Sequence, residues 1–212
     1  MLSRRLMTAV SRGAQLVSAA SGGGVFSASL TITKPSGLRS GDVLVAIMAV
    51  GGTAGATTWT GATGWTERVD QGAEPSLRVA TLTAGGSEPA SYTFTASRSA
   101  TNLFGIILCV RNAQWDVIGS IATQYGAGAL AIGGVTSAGG VLIAAVASYA
   151  GTPPTHSTPT GMLLAATEAG FFQGGISAFF QDVQVGATGT RTSTVGGAAA
   201  DTGGVLIGLK AA

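Results

Sequence analysis

Residues 25–34 alternate, with Phe26, Ala28, Leu30 and Ile32 on one face and Ser27, Ser29, Thr31 and Thr33 on the other. A period of two is the signature of a strand with one wet face, and Pro35-Ser36-Gly37 then turns the chain. The same reading predicts strands over 43–50, 65–70, 77–83, 92–96, 103–110 and 115–123, and then over 129–135, 141–149, 162–167, 176–185, 190–195 and 205–210. Clusters of Gly, Pro and Ser separate them about every 10 residues, the spacing of a β-sandwich. No convincing helical period occurs after residue 24. The strands are of two kinds: 92–95 alternates, whereas 43–49, 106–110, 141–147 and 205–209 are apolar on both faces. An antiparallel sheet normally turns one face to water. The outer faces of these four strands are therefore expected to be covered, by loops or by another subunit, and a homo-oligomer is the economical expectation.

The pattern also repeats at an offset of about 98 to 100 residues. GDVLVAIMAV at 41–50 lies opposite GGVLIAAVAS at 139–148, with identities at Gly41/Gly139, Val43/Val141, Leu44/Leu142, Ala46/Ala144 and Ala49/Ala147. Gly64-Trp65 falls opposite Gly161-Met162, 77–81 opposite 176–180, and GIIL at 105–108 opposite GVLI at 204–207. Collinear matches of this kind point to a duplicated supersecondary unit. The alternative is that Gly/Ala/Val-rich strands resemble one another through composition alone. The expected fold is all-β: a jelly-roll-like antiparallel sandwich over 25–212, built from halves at about 25–111 and 125–210, and preceded by an arm and Gly-rich linker over 1–24.

Composition narrows the function. Charged residues make up 9% of the chain, 34 residues are Gly, and Lys occurs only at Lys34 and Lys210. Monomer surfaces are ordinarily coated with Lys and Glu, so a surface hidden against neighbours is expected. Net charge is +2, which gives no electrostatic footprint for nucleic acid. No apolar run reaches the 18 or so residues of a membrane helix, and no membrane partner is expected. The first 20 residues carry Arg4, Arg5 and Arg12 with no acidic residue before Asp42, and end at Ser21-Gly22-Gly23-Gly24. A basic arm that threads onto a partner surface is favoured over a disordered tail or a secretory signal, whose apolar region Ser11 and Arg12 would interrupt.

Residues that carry chemistry are few. Cys109 is the only cysteine and lies in an apolar run, which reads as a small buried hydrophobe. His156, the only histidine, falls in Thr152-Pro153-Pro154-Thr155-His156-Ser157, read as a rigid surface loop where it is either solvated or touches a partner. One His without a Cys cluster builds no ordinary zinc site, so no metal and no cofactor is expected. Glu67, Asp70 and Glu74, with Arg68 and Arg78, read as an exposed, charge-balanced edge rather than a glycosidase pair. No GxxxxGK[ST] occurs, and the glycines are assigned to turns and close strand packing. Trp59 and Trp65 flank Thr60-Gly61-Ala62-Thr63-Gly64; Trp65 plugs the sandwich end, whereas Trp59 is a candidate stacking platform for a host glycan or a protein hot spot. No catalytic residue is assigned, and Arg4, Arg5, Arg12, Trp59 and His156 are the candidate partner-binding residues.

Ser40-Gly41-Asp42-Val43-Leu44-Val45-Ala46, Gly64-Trp65-Thr66, Leu77-Arg78-Val79, Glu88-Pro89-Ala90-Ser91-Tyr92-Thr93-Phe94-Thr95 and Gly105-Ile106-Ile107, taken in order, resemble a module of tailed-bacteriophage structural proteins. The stretch is similar to the jelly-roll-like sandwiches of virion decoration, fibre and minor head or tail proteins. It covers about a third of the chain; the second copy is looser, with Gly161-Met162-Leu163 in place of the GWT pattern. The resemblance implies a place in a virion and no catalytic residues. The expected function is therefore a capsid decoration or cement protein, a homotrimer attached to the major capsid protein or another virion protein. The rivals are a fibre or spike module that binds a host glycan and a secreted carbohydrate-binding or adhesin domain.

Overall fold

The computed structural model describes residues 13–51, 56–72, 76–150, 154–169, 174–197 and 199–212. Among them there is no helix, and the strands pair antiparallel throughout. The first six are β1 (Gln15–Thr33), β2 (Val43–Gly51), β3 (Trp59–Thr60), β4 (Thr66–Gln71), β5 (Ser76–Thr83) and β6 (Ser91–Arg111). They form one sheet in the order β1-β6-β2-β5-β4, with β3 also on β6. Then come β7 (Ala113–Ile118), β8 (Ala122–Tyr125), β9 (Gly128–Ile132), β10 (Thr136–Ala150), β11 (Thr155–His156), β12 (Leu163–Ala169), β13 (Gly174–Ala187), β14 (Arg191–Gly196) and β15 (Ala199–Ala211). These make a second sheet, β12-β13-β10-β15-β7, with β8 also on β15, and a small sheet, β11-β14-β9.

Each large sheet thus belongs to one part of the chain, divided at about residue 112. Two interleaved Greek keys would mix both parts in each sheet, so the strand orders do not carry the jelly-roll detail of the expected fold. The offset seen in the sequence does reappear. It takes β4, β5, β2 and β6 onto β12, β13, β10 and β15, which occupy the same successive places in their own sheet.

The inner faces of the two sheets meet in a core of Val43, Val45, Ile47, Leu77, Val79, Phe104, Ile106 and Leu108 against Val141, Ile143, Ala145, Ile176, Val205, Ile207 and Leu209. The outer faces are covered as well, and by this same chain. β1 and β6 stay paired from Gln15↔Arg111 to Thr33↔Ser91, with a bulge at Ser27/Ser29. The ribbon folds back over its own sheet there, burying Leu30, Ile32, Tyr92 and Phe94 on Leu44, Ala46, Met48, Leu103 and Ile107. In the second part the small sheet does this work: Leu130, Ile132 and Val195 pack on Leu142, Ala144, Val146 and Leu206. The result is four layers. Neighbouring subunits, expected as the cover, are not needed for it, because the alternating strands turn Leu, Ile, Val and aromatic side chains inward and mostly Ser, Thr and Ala outward. Burying Leu30, Ile32 and Phe94 stabilises the closed ribbon by about 1.5–3 kcal/mol each.

Close approach requires glycine beneath the cover. A Cβ on Gly105 would lie 2.6 Å from Ile32 Cδ1 and 2.8 Å from Leu30 Cδ2. A Cβ on Gly204 would lie 2.8 Å from Leu130 Cδ2 and 3.0 Å from Ile132 Cδ1. The fold-back corners differ in chemistry. Gly126 takes φ +86° where the second part turns, while the first part turns through Phe26 at φ +49°, a left-handed conformation costly for an aromatic residue, which is 70% exposed.

The expected N-terminal arm and linker over 1–24 are corrected in part. Gln15 to Gly24 is not a linker but the first half of β1, with Gly22, Gly23 and Gly24 paired to Gly105, Phe104 and Leu103. Glycine runs read as flexible from sequence, yet here the small residues admit the folded-back ribbon: a Cβ on Gly22 would lie 2.8 Å from the Thr31 carbonyl. Arg4, Arg5 and Arg12 lie outside the described residues.

Replacing Gly105 with Val should lower stability by about 1–3 kcal/mol through overpacking under the ribbon. Gly133→Ala, where an added Cβ meets nothing within 4 Å, should change it by no more than about 0.5 kcal/mol. Urea denaturation of the two variants beside wild type checks this, and equal midpoints would count against a tightly closed cover.

Candidate functional site

The polar side chains buried in this apolar body gather where the cover layers meet the sheets. At the cover of the second sheet, β11 is only two residues long, paired Thr155↔Gly196 and His156↔Val195 on β14. It carries His156 across the outer face of β10 and β13. His156 Nε2 lies 2.7 Å from Ser148 Oγ, and His156 Nδ1 lies 2.8 Å from Ser177 Oγ. Ser177 Oγ continues to Thr167 Oγ1 at 3.1 Å, and Thr167 Oγ1 donates to the Ile176 carbonyl. His156 is thus neither on a surface loop nor free in solvent, as the sequence suggested; it is half-buried and bonded through both ring nitrogens. Burial pushes its pKa down, from 6.5 to about 4.

A Ser hydroxyl 2.7 Å from an imidazole is the geometry of a nucleophile and its base. Here the second ring nitrogen meets Ser177 rather than a carboxylate, and Ser148 and Ser177 are 2% and 3% exposed. What the cluster does chemically is hold β11 to β10 and β13. Each hydroxyl can donate to or accept from a neutral ring, so one tautomer satisfies both nitrogens.

The corresponding corner of the first sheet is charged. Arg78 on β5 is 4% exposed, with its guanidinium 3.3 Å from Glu67 and donating to the Trp59 carbonyl. The Trp59 amide donates to Asp70 Oδ2 at 3.0 Å, and Ser76 Oγ donates to the Thr57 carbonyl at 2.9 Å. Burial raises the pKa of Asp70, a shift opposed by the Trp59 amide and by Arg78. The reading of this group as an exposed edge holds for Glu67 and is corrected for the others: a buried Arg78 ties β3 down, Asp70 is half-buried, and the half-buried Arg68 stacks 4.3 Å over the Trp115 ring across the edge of the sandwich. Glu74 lies outside the described residues.

Trp59 is also corrected. It is 5% exposed and belongs to the layer between the ribbon and its sheet, so its indole is not a platform for a sugar. Its place on a strand of two residues explains why sequence failed to classify it: local context showed only turn residues. Trp65 is half-buried against the same outer layer, with Tyr92 and Phe94 edge-on at 5.2 and 5.3 Å.

A third cluster closes the opposite end. Arg111, the last residue of β6, makes a two-pronged contact with Asp42 at 3.0 and 2.8 Å, and the Arg39 amide adds a bond of 2.8 Å. Burial alone would raise the Asp42 pKa, but these bonds outweigh it and the net direction is down. Cys109, buried as expected, lies 3.5 Å from Asp42; burial and that carboxylate push its thiol up to about 12. It is an unreactive thiol at neutral pH. The Asp of the GDVLV segment is thus a loop clamp, and at the offset position ahead of Val141 the chain has Gly140.

Among the described residues, no group of three His, Cys, Asp or Glu side chains is placed to hold a metal ion. No family model, no curated protein and no solved structure matches the chain.

His156 gives a pH dependence with a defined sign. Its pKa is depressed on folding, so its full contribution is present above about pH 6.5 and is lost as pH falls toward 4. Between pH 7.5 and 4.5 the wild type should lose about 2–3 kcal/mol more than His156→Asn in urea denaturation; equal losses would contradict a buried neutral ring. Trp59→Ala should cost about 3–5 kcal/mol, as expected for a core aromatic, whereas a near-zero change would return Trp59 to the surface.

Proposed function

We propose that the protein is a structural component of a tailed-phage particle, a head decoration or cement protein that acts by adhesion rather than by chemistry. The observation that carries this reading is the closure of the body. Two large sheets are covered on both outer faces, and the polar groups described above tie layers together instead of converging on an open cleft. Such a body suits a part that must resist unfolding on the outside of a particle, and the module from Ser40 to Val110 that resembles virion sandwiches lies within its first sheet. We further propose that the body arose by duplication, since the sequence offset and the shared strand order agree at β2/β10, β5/β13 and β6/β15.

Two parts of the earlier expectation change in weight. Of the two grounds for a homo-oligomer, the doubly apolar strands are covered by the chain itself and the shortage of Lys and Glu stands, so contact with neighbours is reserved for attachment rather than folding. Glycan binding through Trp59 loses its residue, because that indole is enclosed.

The test is localisation. An antibody raised against the purified chain, used for immunogold microscopy and quantitative mass spectrometry on purified particles, should find it at a fixed stoichiometry on the head surface. Recovery only in the particle-free fraction of the lysate would contradict the proposal.

A further inference from the structure

Residues 154–162 cross the outer face of the second sheet as a strap. Pro154, Pro159 and Met162 are its buried members, and Met162 belongs to the apolar layer with Leu142, Val146 and Phe179. Its ladder is short. Two pairs join β11 to β14, and Ser157 continues them: its amide donates to the Thr194 carbonyl at 2.9 Å, its Oγ accepts from the Thr194 amide and its carbonyl accepts from Ser193 Oγ, both at 2.7 Å. Toward the large sheet the polar fastening is His156, through Ser148 on β10 and Ser177 on β13. Those two strands are themselves paired from Tyr149↔Gly174 to Thr136↔Ala187. A segment with few ladder bonds opens at a lower free energy than the strands beneath it.

The groups around the ring decide what a proton does there. Hydroxyls face it: Ser148, Ser177 and, beyond Ser177, Thr167. The titratable groups of the neighbouring strands turn elsewhere. Glu168, next to Thr167 on β12, accepts from Ser21 of the first sheet at 2.6 Å. Tyr149, next to Ser148, packs on Gly51 of the first sheet, where a Cβ would lie 2.6 Å from Tyr149 Cδ2, and Asp201 on β15 is paired with Tyr149 and shares its face. On β13, Asp182 is paired with Val141 of the inner core; on β14, Arg191 bonds Gln181 at 2.9 Å, four residues along from Val195. The sequences of β9, 150–154 and 169–174 contain no titratable side chain. Both serine hydroxyls can accept from a protonated ring, so no hydrogen bond need break. The penalty is a buried charge, and it is relieved once the ring reaches water.

We propose that residues 154–162 are an acid-released strap: protonation of His156 shifts the segment off β10 and β13, uncovering the Val146 and Phe179 side of the second sheet while the two large sheets keep their pairing. Global unfolding would relieve the same charge, but release of the strap does so at the loss of far fewer bonds. The inference is independent of the virion reading and holds for any function of the protein.

Amide hydrogen exchange in the full chain, expressed as protection relative to a free peptide at the same pH, locates the opening. Between pH 7.5 and 4.5, protection at residues 155–157 should fall at least about tenfold in the wild type and less than about twofold in His156→Asn. Low urea separates a local opening from a global one: exchange at 155–157 should hardly respond to it, whereas Ile143 and Ile207 should stay better protected and show the slope of global unfolding. A reading that needs no variant comes from NMR of the imidazole. Protection of the strap should begin to fall near pH 6.5 and level off where the ring itself titrates, near pH 4. Strap protection that ignores pH, an equal fall in His156→Asn, a urea slope shared with Ile143, or a ring that titrates near 6.5 would each overturn it.

Discussion

A strand that is apolar on both faces cannot end a structure, because whichever face is left outward exposes its side chains to water. β2, β6, β10 and β15 are all of this kind, and Val43 to Val50 is buried along its whole length. Everything outside the central two layers follows from that constraint. The chain answers it by bending the β1–β6 ribbon back on itself and by laying β9, β11 and β14 over the second sheet, so each outer layer buries one face and turns small side chains, mostly Ser, Thr and Ala, to solvent.

The bend sets the other features. Leu30 and Ile32 can reach the sheet only where Gly105 leaves room, and Leu130 and Ile132 only above Gly204. The corner demands a left-handed residue, which Gly126 meets without strain and Phe26 meets with it. Short strands β3 and β11 then need fastening, since two residues of ladder cannot hold by themselves; Arg78 does so by charge in one half, and His156 by two serines in the other. The fastenings differ in kind although their positions correspond, and the one built on His156 responds to acid.

Much of the fold was legible because period-two alternation and doubly apolar runs are direct consequences of how strands are buried. The predicted span 141–149 falls inside β10, and 77–83 matches β5 within one residue. What covered the doubly apolar runs was not legible. Sequence states that Leu44 and Met48 are hidden but not by what, and 25–34 looked like an independent strand rather than the returning half of β1. The Gly22 to Gly24 run was misread because glycine signals mobility and close packing alike. The candidate sites were the least legible part. Trp59 and His156 sit on two-residue strands, too short for any period, and their partners Arg78, Ser148 and Ser177 lie 8 to 21 residues away in sequence. The value of Asp42 was visible as a motif, but its clamp with Arg111, 69 residues on, was not.

The central claim is that one chain closes both outer faces without help from a partner. It is tested most directly by the concentration dependence of unfolding, followed by tryptophan fluorescence in urea over a hundredfold range of protein concentration. A self-covered body predicts one cooperative transition whose midpoint does not move, with no binding of an apolar dye before it. A midpoint that rises with concentration would mean that association completes the fold, and would contradict the account.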